Sequence, residues 1–386
     1  MVEWKELKEV FETRNGYTPS TTNESFWEGG DIPWFKMEDI RDNGGILNDS
    51  YLHITDAAVK GKGLFKANSI LLATSATIGE HALITIDHLS NQRFTNLYPK
   101  AKFEHIINMR YVYYYMFKID EWCKQHVNQG GFASVDMGGL YKLAFPIPSL
   151  SEQERIVDIL DTFTSSIDNL KQQIAQRRKQ YEYYRDQLLD LEGKEGVEMK
   201  MLGDFCDTLS GFPFDSSQFR DEGIQLMRGA NIKRGYFDFS QELNKYWISS
   251  EGLEKYLLEP NDIIISMDGS LVGRSFCYLR SDHLPLLLVQ RVARIRTKEN
   301  YKYVYYNITK SFPDYVDKKK TAGAIPHISM KDINSFIIPV PSLSEQQRIV
   351  DILDKFEASI QNLESQLSQR EKQYEYYRNK LLTFED

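Results

Sequence analysis

The sequence predicts an α+β protein assembled twice over: a mixed α/β globule and a long helix, then a second globule and a second helix. Three observations carry this. The stretch Pro146 to Glu192 returns from Pro339 to Glu385, displaced by 193 residues without a gap and identical at 32 of 47 positions. Chance does not do this, so the chain is a tandem duplication. Apolar residues in each copy follow a seven-residue repeat, a narrow stripe suited to one partner helix. Ahead of each copy, short β-branched runs alternate with Gly, Asn and Asp clusters, as strands alternate with turns.

The first globule is assigned to residues 1–150 and the second to 197–341. They are diverged relatives. E-W-K-E-L-K-E-V from Glu3 matches E-M-K-M-L-G-D-F from Glu198, and Gly16 matches Gly211. S-I-L-L-A-T-S from Ser69 matches D-I-I-I-S-M-D from Asp262, each followed by a glycine-bearing turn (Gly79; Gly269, Gly273). Gln92 with Arg93 matches Gln290 with Arg291. The tyrosine-rich Met109–Lys118 and Tyr301–Lys310 read as one helix each.

The long helices are assigned to 151–193 and 344–386, with a short, flexible G-K-E-G linker between the halves. The first seam is Ile156, Leu160, Phe163, Ile167, Leu170, Ile174, Tyr181, Tyr184 and Leu188, then Leu191, interrupted by Arg177. The second is Ile349, Leu353, Phe356, Ile360, Leu363, Leu367, Tyr374, Tyr377 and Leu381, then Phe384, interrupted by Arg370. Ser151 with Glu154 and Ser344 with Gln347 are the expected capping boxes. About 41 residues at ~1.5 Å each give a rod of roughly 60 Å. A lone exposed helix of that length is poor structure, so the simplest arrangement packs one copy against the other. A charged residue within an apolar seam can fix register; the plainer reading lets each guanidinium reach water past its own stem.

Composition bounds the function. Apolar content of 41% and charged content of 26% are ordinary for a soluble globular protein. The beginning of the chain has no apolar signal-like core, and the longest apolar run, near Leu286, is too short for a membrane span. Three cysteines (Cys123, Cys206, Cys277) without C-x-x-C suggest a reducing compartment, buried thiols and no metal site. The net charge of −8 argues against a generally basic, non-specific nucleic-acid binder. The second globule is the least acidic part. Arg291, Arg294, Arg296 and Lys298 lie in one candidate strand, and Lys318, Lys319 and Lys320 form a run. Arg294, Arg296 and Lys298 alternate, so they share one strand face that could follow a phosphate backbone. A solvated strand edge protected by charge is the plainer reading. The first globule has a weaker set: Lys36, Arg41, Lys60, Lys62, Lys66 and Arg93.

No phosphate-binding glycine loop, dinucleotide fingerprint or H-E-x-x-H is present. The N-P-P or D-P-P motif of an amino-methyltransferase is also missing. Pro313-Asp314 followed by Asp317-Lys318-Lys319 resembles the P-D…D-x-K string of many nucleases. Two intervening residues cannot bring a second strand back beside the first, so the string reads as a charged loop.

Two unlike globules, each followed by a near-identical P-x-P-S-L-S-E-Q-x-R-I-V-x-I-L-D helix, resemble the specificity subunit of a type I restriction-modification system. The resemblance covers the whole chain. It implies that each globule is a target-recognition domain reading one half of a split, asymmetric site on double-stranded DNA. It implies that the helices form an antiparallel coiled coil, related by an approximate two-fold axis, which spaces the domains and docks two methyltransferase subunits. Endonuclease/translocase subunits complete the restriction complex. S-adenosylmethionine, ATP and Mg would act in those partners, with no cofactor in this chain, and the complex would be cytoplasmic. Methylation and cleavage would therefore not be this chain's own chemistry.

Candidates for base contact are the loops Thr74–Gly79 (Ser75, Thr77) and Ser266–Arg274 (Asp268, Ser270, Arg274), with Gln92 and Gln290. The Arg228–Arg234 stretch adds Arg228, Asn231, Lys233 and Arg234. The segments Gln129–Ser134 and Thr321–His327 add Gly130, Gly131 and His327. Small and polar residues there let backbone and side chains approach bases; plain loop packing is the alternative for any one of them. Tyr183 and Tyr376 fall beyond the seam and are candidate docking points for the methyltransferase subunits. Two rival classes stay open at this stage: a coiled-coil adaptor without base readout, and a stand-alone nuclease using the Asp314/Asp317 string.

Overall fold

The computed structural model describes residues 2–128, 133–319 and 326–384. The chain divides into two compact units, Met1–Lys171 with Gln366–Asp386, and Gln172–Ser365. In the first, a five-stranded sheet has the order Phe11–Asn15, Phe94–Pro99, Ser69–Ala73, His81–Ile84, Ile46–Leu47. Its pairs are antiparallel except the last, which is parallel. Ser69–Ala73 is buried along its whole length, which is why S-I-L-L-A reads as a continuous run without alternation. A smaller sheet orders His53–Ile54, Ile32–Phe35 and Leu89–Ser90. Glu3–Glu6 pairs with Ala144–Ile147 and ties the start of the globule to the residues just ahead of its helix.

The second unit repeats the plan with one strand fewer in the larger sheet: Cys206–Ser210, Val292–Thr297, Ile263–Ser266, Phe276–Tyr278. A three-stranded sheet orders Tyr246–Trp247, Ile224–Met227 and Leu286–Leu288, and Glu198–Met201 pairs with Ile337–Val340. The tyrosine-rich helices are Met109–Gln125 and Tyr301–Lys319, longer than expected at their C-terminal ends. They continue because the buried face continues, with Ile119 and Cys123 in one and Phe312 and Val316 in the other.

The long helices are Leu150–Leu188 and Leu343–Leu381. Each begins two residues earlier than the expected capping boxes allow. The Glu152 N–H donates to Ser149 Oγ and the Glu345 N–H to Ser342 Oγ, both at 3.4 Å. Ser149 and Ser342 therefore stand as the caps in place of Ser151 and Ser344. In the linker, Gly193 and Gly196 take φ of 75° and 76°, and the Lys194 N–H donates to the carbonyl of buried Leu191.

Each globule is fastened to the start of the helix that follows it by the same side chains. Gln153 Oε1 accepts from the Asn108 N–H at 2.8 Å, and its amide donates to the Pro148 carbonyl at 2.9 Å. Gln346 does the same with Asn300 (3.1 Å) and Pro341 (2.9 Å). Asp161 accepts from Tyr114 Oη (2.5 Å) and Arg110 Nε (2.9 Å). Asp354 accepts from Tyr306 Oη (2.6 Å) and Lys302 Nζ (2.5 Å). A buried amide with its donors and acceptors matched avoids the desolvation cost of an orphaned one.

These contacts correct part of the seam. Ile156 and Leu160, and equally Ile349 and Leu353, are fully buried but belong to the cores of their globules. Helix-to-helix packing begins further along. In the first unit Phe163 stacks on Tyr377 at 5.3 Å, Arg370 lies 5.7 Å over the Phe163 ring, and Lys171 faces Glu371 at 3.8 Å. In the second, Tyr184 stacks on Phe356 at 5.4 Å, Arg177 lies 5.9 Å over that ring, and Arg178 meets Glu364 at 2.5 Å. Within each unit the partner number falls as the residue number rises, so the paired segments run antiparallel. Ile167 and Ile174 are buried, and Leu170, Ile360, Leu363 and Leu367 are half-buried. Tyr181, Leu188, Tyr374 and Leu381 pack onto the globule cores from the far ends of the helices. Arg177 and Arg370 thus sit on aromatic rings of the facing segment, where a guanidinium keeps a favourable contact without leaving water.

The three cysteines are buried free thiols. Burial pushes Cys123 and Cys206 up to about 12 and Cys277 up to about 11, which leaves little reactive thiolate at neutral pH. Among the described residues, no helix is long and apolar enough to cross a membrane.

Candidate nucleic-acid interface

The end of each central strand is built to one hydrogen-bond plan. Beyond Ser69–Ala73, the Thr74 N–H donates to the Arg93 carbonyl (3.0 Å) and the Val135 N–H to the Thr74 carbonyl (2.9 Å). Beyond Ile263–Ser266, the Met267 N–H donates to the Arg291 carbonyl (2.9 Å) and the Ile328 N–H to the Met267 carbonyl (2.9 Å). Backbone bridges join Ser75 to Ser134 and Asp268 to His327, again 193 residues apart. Gly16 and Gly211 donate to the Phe94 and Val292 carbonyls, where an added Cβ would lie 2.2 Å from a backbone oxygen of residue 91 or 289. Gly79 and Gly273 both take φ of 78° and press on the tyrosine-rich helix, as only glycine can there. The frame is held by backbone; the side chains on it differ.

In the second unit parts of three stretches chosen from the sequence, Arg228–Arg234, Ser266–Arg274 and Gln290 with Arg291, line one cleft of about 440 Å³ together with Ser275 and Val289. Gln290, Arg291 and Ser270 are exposed at its rim. Arg291, at φ 66°, pairs with Asp268 at 3.0 Å. Arg228 lies 5.6 Å over the Phe219 ring, and Lys233 faces Asp238 at 3.8 Å. Arg274 makes a two-point pair with Asp317 (3.1 and 2.6 Å). Arg234 is exposed next to the cleft stretch, and His327 is half-buried. Leu271, which sequence reasoning passed over, stands 54% exposed at the loop tip. Its only signal was an apolar residue in a loop of glycine and serine.

In the first unit Gln92 and Arg93 are exposed at the corresponding turn, with Gln92 accepting from Thr18 Oγ1 at 2.7 Å. Ser75 and Thr77 are half-buried on the loop, and Lys36 is half-buried at the start of a short helix. Arg41 makes a two-point pair with Glu80 (3.1 and 2.5 Å). Gly130, Gly131 and Lys320 lie outside the described residues.

Some expectations are overturned. Arg294 is buried against Asp207, and Arg296 is held by Asp262 (2.7 Å) and Glu259 (2.7 Å). Two of the three alternating cations are therefore spent on carboxylates of their own globule. Lys298 is exposed past the strand end, and Lys319 lies 6.0 Å over the Tyr315 ring. Asn231 is fully buried, accepting from the Arg228 N–H (3.2 Å) and donating to the Asp238 carbonyl (2.9 Å), so its amide is engaged by the loop's own backbone. The P-D…D-x-K string is no loop: Asp314 and Asp317 lie on the helix Tyr301–Lys319, with Asp317 turned to Arg274. The buried His81–Asp120 pair (2.6 Å) places its second nitrogen 2.9 Å from the Tyr113 carbonyl and anchors strand to helix. Tyr183 and Tyr376 are both 59% exposed.

A family model described as "Type I restriction modification DNA specificity domain" matches the chain twice, over residues 1–177 and 194–370. The chain belongs to this family. The two matches are themselves 193 residues apart, the displacement found in the helices and in the loop frame. The Escherichia coli type I restriction enzyme EcoprrI specificity subunit is 35% identical over 92% of this chain and 88% of its own length. The Methanocaldococcus jannaschii MjaIX specificity subunit is 26% identical over 96% and 88%. In fold, the chain is similar to a chain from a solved type I R-M system (TM-score 0.67, 17% identity, 99% and 98% covered). It is also similar to the type I S subunit from M. genitalium (TM-score 0.57, 15% identity, 100% and 97% covered).

Proposed function

We propose that this chain is the DNA sequence-recognition subunit of a type I restriction-modification complex. Each globule reads one half of a bipartite, asymmetric site on double-stranded DNA through the loop cluster at the end of its central strand. The observation that carries this is the paired frame: one backbone plan, built twice, presenting Gln92 and Arg93 in one unit and the Arg228–Gln290–Arg291 cleft in the other. A constant frame with different side chains suits two readers of different sequences, since guanidinium and amide groups specify base edges in the major groove.

In this reading the long helices form one antiparallel coiled coil with approximate two-fold symmetry, which fixes the number of unread base pairs between half-sites. Two methyltransferase subunits dock on it, Tyr183 and Tyr376 among the contacts, and endonuclease/translocase subunits complete the assembly in the cytoplasm. S-adenosylmethionine, ATP and Mg serve those partners; this chain contributes recognition and no catalysis. The test is to insert one heptad into both helices and sequence the methylome of a host carrying the variant with its methyltransferase. A longer spacer between unchanged half-sites is expected. Changed half-sites with the old spacer would refute the reading.

A further inference from the structure

The first unit carries a basic groove whose cations are only partly matched at the corresponding described positions of the second. Two adjoining clefts of about 530 and 410 Å³ share Thr13, Arg14 and Lys62, with Lys60 in one and Lys66 in the other. The Arg14 guanidinium donates to the Lys62 (2.8 Å) and Gly63 (2.6 Å) carbonyls and lies 4.2 Å over the Phe65 ring. It thereby fixes the turn that presents the lysines. Lys60 Nζ sits 4.6 Å over the Tyr17 ring and Lys66 Nζ 4.4 Å over the Tyr98 ring. Lys60 and Lys62 are exposed, and among the described residues neither is paired with a carboxylate. Lys66 has only a loose surface pair with Glu104 at 3.4 Å, and Glu12 lines the second cleft.

The groove opens beside the candidate reading turn. Asn15, at its edge, accepts from Thr95 Oγ1 (2.9 Å), which bonds Thr74 Oγ1 (2.9 Å). The Tyr17 N–H donates to the Ser90 carbonyl (2.8 Å), and Thr18 holds Gln92. The second unit has Leu209 where strand register puts Arg14, and Leu253, Lys255 and Glu259 where the 193-residue displacement puts Lys60, Lys62 and Lys66. Its strand cation, Arg294, is turned inward onto Asp207.

We propose that the Arg14–Lys60–Lys62–Lys66 groove holds the phosphate backbone flanking the bases read by the first globule, a grip made by this half of the protein alone. Cations on a rigid turn beside a reading loop suit phosphate contact, which sets position and affinity without sequence information. This rests on the recognition reading above. The experiment uses the full chain assembled with its methyltransferase subunits and a duplex bearing the methylated site. The K60E/K62E variant alters only exposed side chains, and its melting temperature is checked against wild type. Affinity is expected to fall about tenfold or more near 0.15 M salt. The slope of log affinity against log salt should become shallower by roughly 0.9 for each phosphate that the protein no longer neutralises, with methylated half-sites unchanged. Unchanged affinity and slope in a folded variant would overturn the groove while leaving recognition intact. A changed first half-site would overturn it too, because the lysines would then be reading bases. A wild-type complex that gives no footprint on the site would instead defeat the recognition reading, and the groove with it.

Discussion

Asn231 and Asp39 do matching work from beneath two loops. Asp39 is fully buried and accepts from the Lys36 N–H (2.6 Å) and the Tyr51 N–H (2.7 Å), while Asn231 joins Arg228 to Asp238. A carboxylate serves where two donors must be met; an amide serves where one donor and one carbonyl face each other. Asn231→Ala would leave the Arg228 N–H and the Asp238 carbonyl without partners. The expected loss is about 1–3 kcal/mol, the desolvation penalty of a buried unmatched group, read as a lower denaturant midpoint with unchanged slope. Asn231→Asp should be destabilising as well, since a carboxylate cannot donate to Asp238. A variant as stable as wild type would show that the loop does not depend on this bridge.

At the scale of elements, the two long helices are near-copies that differ where their charges meet tyrosines. Glu357 of the second helix accepts from Tyr181 Oη at 3.2 Å, and burial raises its carboxyl above the usual carboxylate range. The first helix has Thr164 at the matching position, bonded to its own backbone. A carboxyl raised in the folded state holds its proton while the unfolded chain has released it. Stability therefore falls as pH rises from the unfolded carboxylate value through the folded one. Glu357→Gln should raise the melting temperature at neutral pH, and the gain should shrink as pH drops below the carboxylate range. A gain that stays constant across that range would rule out titration as its cause. The repeat, the strands and the loops at their ends were legible because each depends on local pattern: seven-residue spacing, β-branched runs, glycine at a turn. Arg294 and Arg296 were misread because their partners, Asp207 and Asp262, are 87 and 34 residues away. Nothing local distinguishes a strand cation that meets a phosphate from one that meets its own sheet. Ile156 and Leu160 were misread for a related reason, since one stripe serves first a globule and then a helix without a break in period.

For the whole molecule, the consequence of duplication is that the first unit is not a contiguous piece of chain, while the second spans Gln172–Ser365 without a break. The first is completed by residues after Gln366. Leu382 is 1% exposed in its core, Phe384 lies edge-on to Trp4 (6.3 Å) and Tyr111 (6.4 Å), and Lys118 Nζ donates to the Leu382 carbonyl (2.8 Å). A fragment of residues 1–196 would expose that core unless something replaced the missing segment. Its own helix contains the replacement, because Leu189 and Leu191, 2% and 6% exposed in the second unit, correspond to Leu382 and Phe384 at the 193-residue displacement. Two fragments can therefore complete each other, each lending the end of its helix to the core of the other. The fragment is expected to sediment as a dimer that loosens on dilution, and Leu189→Asp within it should abolish the dimer by burying a charge. A fragment that is folded and monomeric at tens of micromolar in the ultracentrifuge would show that the first core closes without the borrowed segment. The near-identity of the two helices would then need a different physical cause.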